Sequence, residues 1–537
     1  VLGDLDSALR WLAIAAHRAS VFPFGYLASA DLEAQLLTVA GQLERPSPTS
    51  TSVGLPETPR TGAGPSRWLH VFTEAQDIGG HTAMAARWFA LDRERVHSAV
   101  LLDQGIPVPT FFRAAVNEGG GGLRQLDPRT PLRERAAQLR ALARAEADVV
   151  VLHAHSWDVI PAVAFGVDGG PPVLRVNHGD HAFWAGVAVV DLVLDLRPPG
   201  QEWTQRYRGL SRTALLPIVV PEPESVHADR ERAMQRRAAA KAQLGLPADS
   251  LVLLTVARGV KYTALPGRDL DFLAAAQAIL RARPRAWLLA VGPGADARWR
   301  AARRATGGRV RAEGPQGDLD RYHAAADVYL ESFPLGSATA MVEAAIRGLP
   351  CVPSPRVIPS SLSTGGPGIV AVEEPQNVPA YVRQVLTLLD SEATRQASGE
   401  RVAAAVRTAH GPAGWLARLG AVVERLPPAH RVHSLPIPEP LPAGAVAFWS
   451  EWSARMWPGR AEAALYAWLE PRADGRHRTA RGIRRLAPAV YALGYGQCWD
   501  LWRRLRRARA RRRPAALSAE RAASRPGTSG GRRRSSP

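Results

Sequence analysis

The stretch that decides the fold runs from Asp327 to Pro350, DVYLESFPLGSATAMVEAAIRGLP. Val328-Tyr329-Leu330 reads as a short buried strand, and Pro334-Leu335-Gly336-Ser337 as a turn. Ala338 to about Arg347 is helix-forming; Gly348 stops it, and Pro350-Cys351-Val352 opens a further strand. Ser337 is expected to cap the helix, leaving the amides of its first turn directed into open space beyond the strand's carboxyl end. Such a helix start is an anion site suited to phosphate. Thr339 and Glu343, four apart, share a helix face about 6 Å apart along the axis. A hydroxyl beside a diphosphate and a carboxylate one turn further, for ribose hydroxyls, suit a nucleotide. The plainer alternative is an ordinary αβ unit whose early Glu complements the helix dipole.

Working outward, the same alternation recurs on both sides. Upstream, Trp68 to Phe72 reads as a strand, followed by Gly79-Gly80-His81-Thr82 and a helix through Trp88. Strands are expected at 98–102, 149–152, 173–176, 191–196 and 215–220, with a helix near 131–145. A polar connector from Pro221 to Leu246 leads to a second series: strands at 251–256, 287–291, 309–312, 328–330 and 368–372, a helix at 270–283, and helices to about Leu426. Continuous apolar strands separated by helices imply parallel sheets covered on both faces. Ligands bind such sheets beyond the carboxyl ends of the strands. Five histidines fall at three such ends in the first half: His81, His153, His155, His178 and His181. Arg258 and Lys261 follow the first strand of the second half, where cations meet a diphosphate approached from the Ser337 turn.

The Asp327–Pro350 stretch resembles the nucleotide-sugar site of GT-B glycosyltransferases, and its layout is most similar to the O-GlcNAc-transferase-like branch. There an acidic residue and a Pro-bearing turn precede a Thr-bearing helix start, and a ribose-binding acid lies twelve residues beyond the first acid, as Glu343 does beyond Glu331. Retaining GT-B enzymes place two Glu eight apart; eight before Glu343 stands Leu335, so the chain departs from that pattern. The same branch carries a phosphate-binding Lys three residues after a polar residue, matching Lys261 and Arg258. It also has a functional His in the loop after the first strand, matching His81. The resemblance spans about 68–426 and implies an α/β fold of two facing Rossmann-like domains with helical additions at both ends. Its donor site would hold Arg258, Lys261, Gly336, Ser337, Thr339 and Glu343. No helical-repeat period precedes it.

The expected organisation is an N-terminal helical segment and linker (1–66), a first Rossmann-like, acceptor-side domain (67–220), a nucleotide-sugar-binding domain (221–430), a basic amphipathic helical region (431–513) and an Arg-rich tail (514–537). The chain has 537 residues with 46% hydrophobic and 22% charged, ordinary for a globular protein large enough for several cores. The net charge of +19 is uneven, since Leu501 to Pro537 holds 13 Arg against one Glu. Of 68 basic residues only Lys241 and Lys261 are lysine, so each is a candidate for a specific task. Two cysteines, Cys351 and Cys498, provide neither a disulfide framework nor a thiolate metal cluster and suit a reducing, cytoplasmic compartment. No secretory signal or membrane-length apolar run is evident.

The expected activity is transfer of a sugar from a nucleoside diphosphate to a hydroxyl-bearing acceptor, with no cofactor beyond the donor and no metal. The alternatives are a GT-B-fold epimerase or hydrolase and, from the basic tail, a nucleic-acid-binding protein, although no nucleic-acid-reading motif is present. Trp499, Trp502 and Arg503 to Arg534 suggest contact with an anionic membrane surface, on the inner face. An imidazole titrating near neutrality suits proton abstraction, which makes His81 the expected catalytic base, with His178 and Asp180 as alternatives. Gly79, Gly80, His155, His178 and His181 would form the acceptor side.

Overall fold

The computed structural model describes residues 5–43, 66–77, 80–222, 230–356 and 372–456. Gly79, most of the expected 368–372 strand, and the basic region and tail beyond 456 lie outside these residues.

The chain begins with α1 (Leu5–Val21) and α2 (Ala30–Gly41). It then alternates β1 (Arg67–Phe72), α3 (Gly80–Leu91), β2 (Val96–Leu101), α4 (Thr110–Glu118), β3 (Leu123–Gln125), α5 (Leu132–Glu146) and β4 (Val149–Leu152). The first half closes with α6 (Ile160–Ala164), β5 (Val173–Asn177), β6 (Leu192–Asp195), α7 (Pro198–Tyr207) and β7 (Thr213–Leu215). These seven strands form one parallel sheet, ordered β3-β2-β1-β4-β5-β6-β7. One face is covered by α1, α2, α5 and α6, where Leu9, Leu36 and Leu139 pack with Leu69, Val71 and Val150. On the other, Trp88, Phe89 and Phe112 from α3 and α4 pack with Trp68, Phe72 and Val151. Burial on both faces is why the strands are continuously apolar rather than alternating.

The second half comprises α8 (Arg230–Gln243), β8 (Leu251–Val256), α9 (Phe272–Ala282), β9 (Ala286–Val291), α10 (Ala297–Ala305), β10 (Val310–Gly314), α11 (Asp320–Ala325), β11 (Val328–Leu330), α12 (Ala338–Ile346), β12 (Cys351–Val352), α13 (Val378–Asp390) and α14 (Glu392–His410). Its five-stranded sheet, β10-β9-β8-β11-β12, is again parallel. Two parallel-sheet, Rossmann-like domains therefore face each other, the GT-B arrangement.

Several boundaries differ from expectation. The strand expected at 215–220 ends at Leu215. Pro217 has no N–H for a sheet ladder, and the chain beyond it turns to bond with the end of α14: the Val220 amide donates to the His410 carbonyl at 3.1 Å, and His410 Nδ1 lies 2.8 Å from the Ile218 carbonyl. The short α4 and β3, not expected from the sequence, are separated by Gly119 to Gly122, whose glycines blur any period. The N-terminal helices pack into the first domain's core through Leu9, Leu32 and Leu36. After α14, α15 (Pro412–Val423) crosses back: Trp415, Leu419 and Val422 enter the first domain's core, and Trp415 Nε1 donates to the Pro217 carbonyl at 2.8 Å. The 430–456 segment makes contacts with both domains. His430 and His433 bond the Asp191 carboxylate at 2.7 and 3.0 Å. In α16 (Ala443–Met456), Phe448 and Trp452 join the second domain's core, while Ser453 Oγ donates to the Val21 carbonyl of the first at 2.6 Å.

Candidate functional site

The carboxyl ends of both sheets open onto the cleft between the domains. On the second-domain side the organising residue is Glu331, fully buried at the end of β11. Its Oε1 accepts from the amides of Ser332 and Ser337 at 2.8 and 2.7 Å, which folds the intervening turn back on itself. Ser337 therefore occupies the cap position of α12 without a side-chain cap bond, a correction to the capping expected from sequence: a buried carboxylate holds the turn by the Ser337 amide. The amides of Ala338 and Thr339 make no hydrogen bond within the described residues, so the helix start retains donors for an anion.

Lys261 reaches this turn from the loop after β8, with Nζ 2.5 Å from the Gly336 carbonyl. Burial lowers its pKa to about 8, with Arg258 and Arg197 pushing the same way and Glu331 opposing them. Arg258, beside it, is exposed. Beneath this loop lies Gly292, with φ of +112°; a Cβ there would sit 2.2 Å from the Ala257 carbonyl oxygen, so the close approach requires glycine. The other lysine, Lys241, is structural: its Nζ donates to the Ser250 carbonyl at 2.6 Å.

The two domains meet at their helix starts. Thr339 Oγ1 lies 3.2 Å from where a Cβ would stand on Gly80, the first residue of α3. Two turns along α3 and one turn along α12, Arg87 forms an ion pair with Glu343 across the cleft. The carboxylate expected at ribose hydroxyls thus already has a cationic partner. The amino-terminal ends of α3 and α12, both carrying partial positive charge, converge on one space.

On the first-domain side His81 projects from the start of α3 and stacks on His178, with ring centroids 4.0 Å apart and planes at 21°. The surrounding protein lowers the His81 pKa to about 3, chiefly by desolvation, with His155, Arg258 and Arg175 adding to it. The His81 ring is itself exposed to the cleft, so water offsets part of that desolvation, while the nearby cations keep the direction downward. His178 Nε2 is 3.0 Å from His153 Nδ1. His155 packs on Trp157, its amide donating to Thr73 Oγ1 at 2.9 Å. His181 lies edge-on to Trp449 of α16.

Asp180 is close by, but its carboxylate is taken by Arg197, which donates at 2.7 and 3.0 Å. Although burial opposes it, Arg197 and His181 hold this carboxyl well below the usual range. A carboxylate so engaged is a poor proton acceptor. Arg87 and Arg197 escaped the reading of the sequence because Arg serves almost every surface charge of this chain. Among the described residues no group of three or more His, Cys, Asp or Glu is placed to hold a metal ion, and no helix is long and apolar enough to cross a membrane.

Residues 252–391 match the profile of a family described as Glycosyl transferases group 1. This span contains Arg258, Lys261, the 331–337 turn and α12. Among solved structures the chain is similar to a glycosyltransferase from Rickettsia africae ESF-5, with a TM-score of 0.51 and 11% identity over 67% of this chain and 98% of that one; that likeness shows the fold. An O-GlcNAc transferase mutant from Thermobaculum terrenum overlaps 84% of this chain and 79% of its own, at 15% identity and a TM-score of 0.48. No curated protein matches the chain in sequence.

Proposed function

We propose that this chain, whose second domain carries the group 1 glycosyl transferase profile, moves a sugar from a nucleoside-diphosphate donor to a hydroxyl-bearing acceptor. The observation that carries the reading is the convergence of Lys261 on the Gly336 turn, where the Ala338 and Thr339 amides remain unbonded. A diphosphate placed there meets Lys261, Arg258 and two helix amino termini, and every one of these contacts favours dianionic charge. Glu343 then faces the ribose hydroxyls once Arg87 yields it, and Thr339 stands at the phosphate end. The acceptor enters from the first domain, beside Gly80, His155, His178 and His181. There an imidazole takes its hydroxyl proton as the sugar–oxygen bond forms and the nucleoside diphosphate departs.

The test is a calorimetric panel of nucleoside diphosphates and their sugars. Binding by at least one nucleotide, weakened by about 1.5–3 kcal/mol in Lys261→Ala, supports the donor site. No binding by any member, or binding indifferent to Lys261, overturns it. Donor turnover at the same rate with and without acceptor would reassign the site to hydrolysis or epimerisation.

A further inference from the structure

The first domain buries a line of histidines that the donor site does not explain. His97 on β2, His70 on β1, His153 just past β4 and His178 just past β5 lie on four adjacent strands. The register sets them in a diagonal. His97 pairs with Trp68, two residues before His70; His70 pairs with Val151, two before His153. Leu152 pairs with Arg175, which puts His153 level with Val176, two before His178. Steps of two keep every ring on one face of the sheet, the face covered by α3, α4 and α15. His70, His97 and His153 are 0%, 0% and 2% exposed.

The rings are joined head to tail. His97 Nδ1 lies 3.0 Å from His70 Nε2, His70 Nδ1 lies 3.0 Å from His153 Nε2, and His153 Nδ1 lies 3.0 Å from His178 Nε2. Each contact accommodates one proton. Its polarity follows from the far end, where His97 Nε2 meets only oxygen acceptors, the Asp92 carbonyl at 3.2 Å and Asp92 Oδ2 at 3.3 Å. Nε2 of His97 must therefore carry hydrogen, which leaves Nδ1 of the neutral ring as an acceptor. The same assignment passes through His70 and His153 and ends at His178. There Nε2 donates, and Nδ1, which makes no hydrogen bond within the described residues, keeps its lone pair at the cleft. Aromatic neighbours hold the rings in place: Phe89 stacks on His97 and Phe72 on His153 at 4.5 Å.

We propose that His178 is the general base of the transfer, and that Asp92, His97, His70 and His153 are positioning residues which fix its tautomer and draw protonic charge away from the cleft. This rests on the glycosyl-transfer reading above. As the acceptor oxygen bonds to the sugar carbon and the diphosphate leaves, His178 Nδ1 takes the hydroxyl proton. The Nε2 proton of His178 passes to His153 Nδ1, that of His153 to His70 Nδ1, and that of His70 to His97 Nδ1. The charge comes to rest as an imidazolium on His97 beside Asp92, which also holds Arg95 at 2.8 Å. The reverse run restores the line after product release. The relay answers a specific difficulty. Desolvation, together with His81, His153, Arg175 and His155, disfavours a cation on His178 itself, whereas a carboxylate awaits one at the other end.

The experiment labels the full chain with 15N-histidine and reads ring-nitrogen protonation by long-range correlation spectroscopy, with His178→Ala for assignment. The expected spectrum has His178 protonated at Nε2 and bare at Nδ1, without any substrate. In His70→Phe that single form gives way to a mixture, and turnover at saturating donor falls at least about tenfold with donor affinity unchanged, a smaller loss than the roughly 10²–10⁴-fold that general-base catalysis as a whole contributes. His178 protonated at Nδ1 in the unsubstituted chain overturns the relay even if the variant fails to fold. So does wild-type turnover in His70→Phe with an unaltered His178 spectrum. Absence of nucleotide binding is a separate failure: it removes the glycosyl-transfer reading, and the base assignment with it, whatever the tautomers are.

Discussion

In the proposed donor site, Lys261 should tie proton balance to nucleotide binding. With its pKa at about 8, the ammonium is only about half protonated at pH 8 and about one-tenth protonated at pH 9. A diphosphate bonded to Nζ favours the charged form and returns the pKa toward the ordinary lysine value, above 10. Donor binding should thus take up about 0.1 proton at pH 7, about 0.5 at pH 8 and about 0.9 at pH 9. Above pH 8 the binding constant should fall toward tenfold per pH unit. A nucleotide sugar is the right probe, because its diphosphate is esterified at both ends and does not itself titrate near pH 8. Calorimetry at pH 8.5 in two buffers of different ionisation enthalpy reads the uptake directly. In Lys261→Met the buffer dependence should vanish and affinity drop by about 1.5–3 kcal/mol. Buffer-independent heats in the unsubstituted chain, or the same uptake in the variant, would refute the placement of this amine at the diphosphate.

Glu343→Ala should erase discrimination between ribo- and 2′-deoxynucleotides, costing ribonucleotide binding about 1.5–3 kcal/mol; competition calorimetry measures it. Arg87→Ala, which removes the competing partner of that carboxylate, should strengthen nucleoside binding in the same assay. Trp415→Ala removes a fully buried indole and leaves the Pro217 carbonyl without its donor, so denaturant unfolding should register a loss of about 3–5 kcal/mol. Asp191 accepts from the Val173 amide, His430 and His433, which hold its carboxyl well below the ordinary value against the opposing effect of burial. Its contribution is complete above the unfolded pKa of about 4 and is lost as pH falls further. Asp191→Asn should therefore lower the melting temperature at pH 7 and flatten its decline below pH 4.

The sheet order of neither domain was legible, but the alternation was, because strands buried on both faces must be continuously apolar and their covering helices periodic. The Pro334–Ser337 turn and the helix start after it were legible for a different reason. Phosphate-binding helix starts use local residues at fixed offsets, and Lys261 stood out in a chain that is otherwise Arg-rich. Arg87 and Arg197 had no such contrast. Ser337 does stand at the cap position, but its side chain makes no cap bond, and the carboxylate of Glu331 that holds its amide reaches it only because the turn folds on itself. The histidine line was beyond any one-dimensional reading: four residues from 70 to 178 align only when the register of four strands is known. For α15, an apolar stripe specifies burial without saying in which domain.

The paired crossings between the domains carry a mechanical consequence. The chain passes from first domain to second near 217–222 and returns near 410–412, and the two passages are bonded side by side through His410. Two crossings bonded side by side resist twisting about each other far better than a single linker does, so the relative motion they favour is rotation about one axis running through them. Such a rotation parts Gly80 from Thr339 and Arg87 from Glu343 together, and on return brings the same atoms into register without a search. The link from Ser453 to Val21, carried by a helix seated in the second domain's core, adds a third connection between the domains. Substitutions at His410 or Ser453 should therefore broaden the spread of interdomain distances measured by paired spin labels while leaving each domain intact.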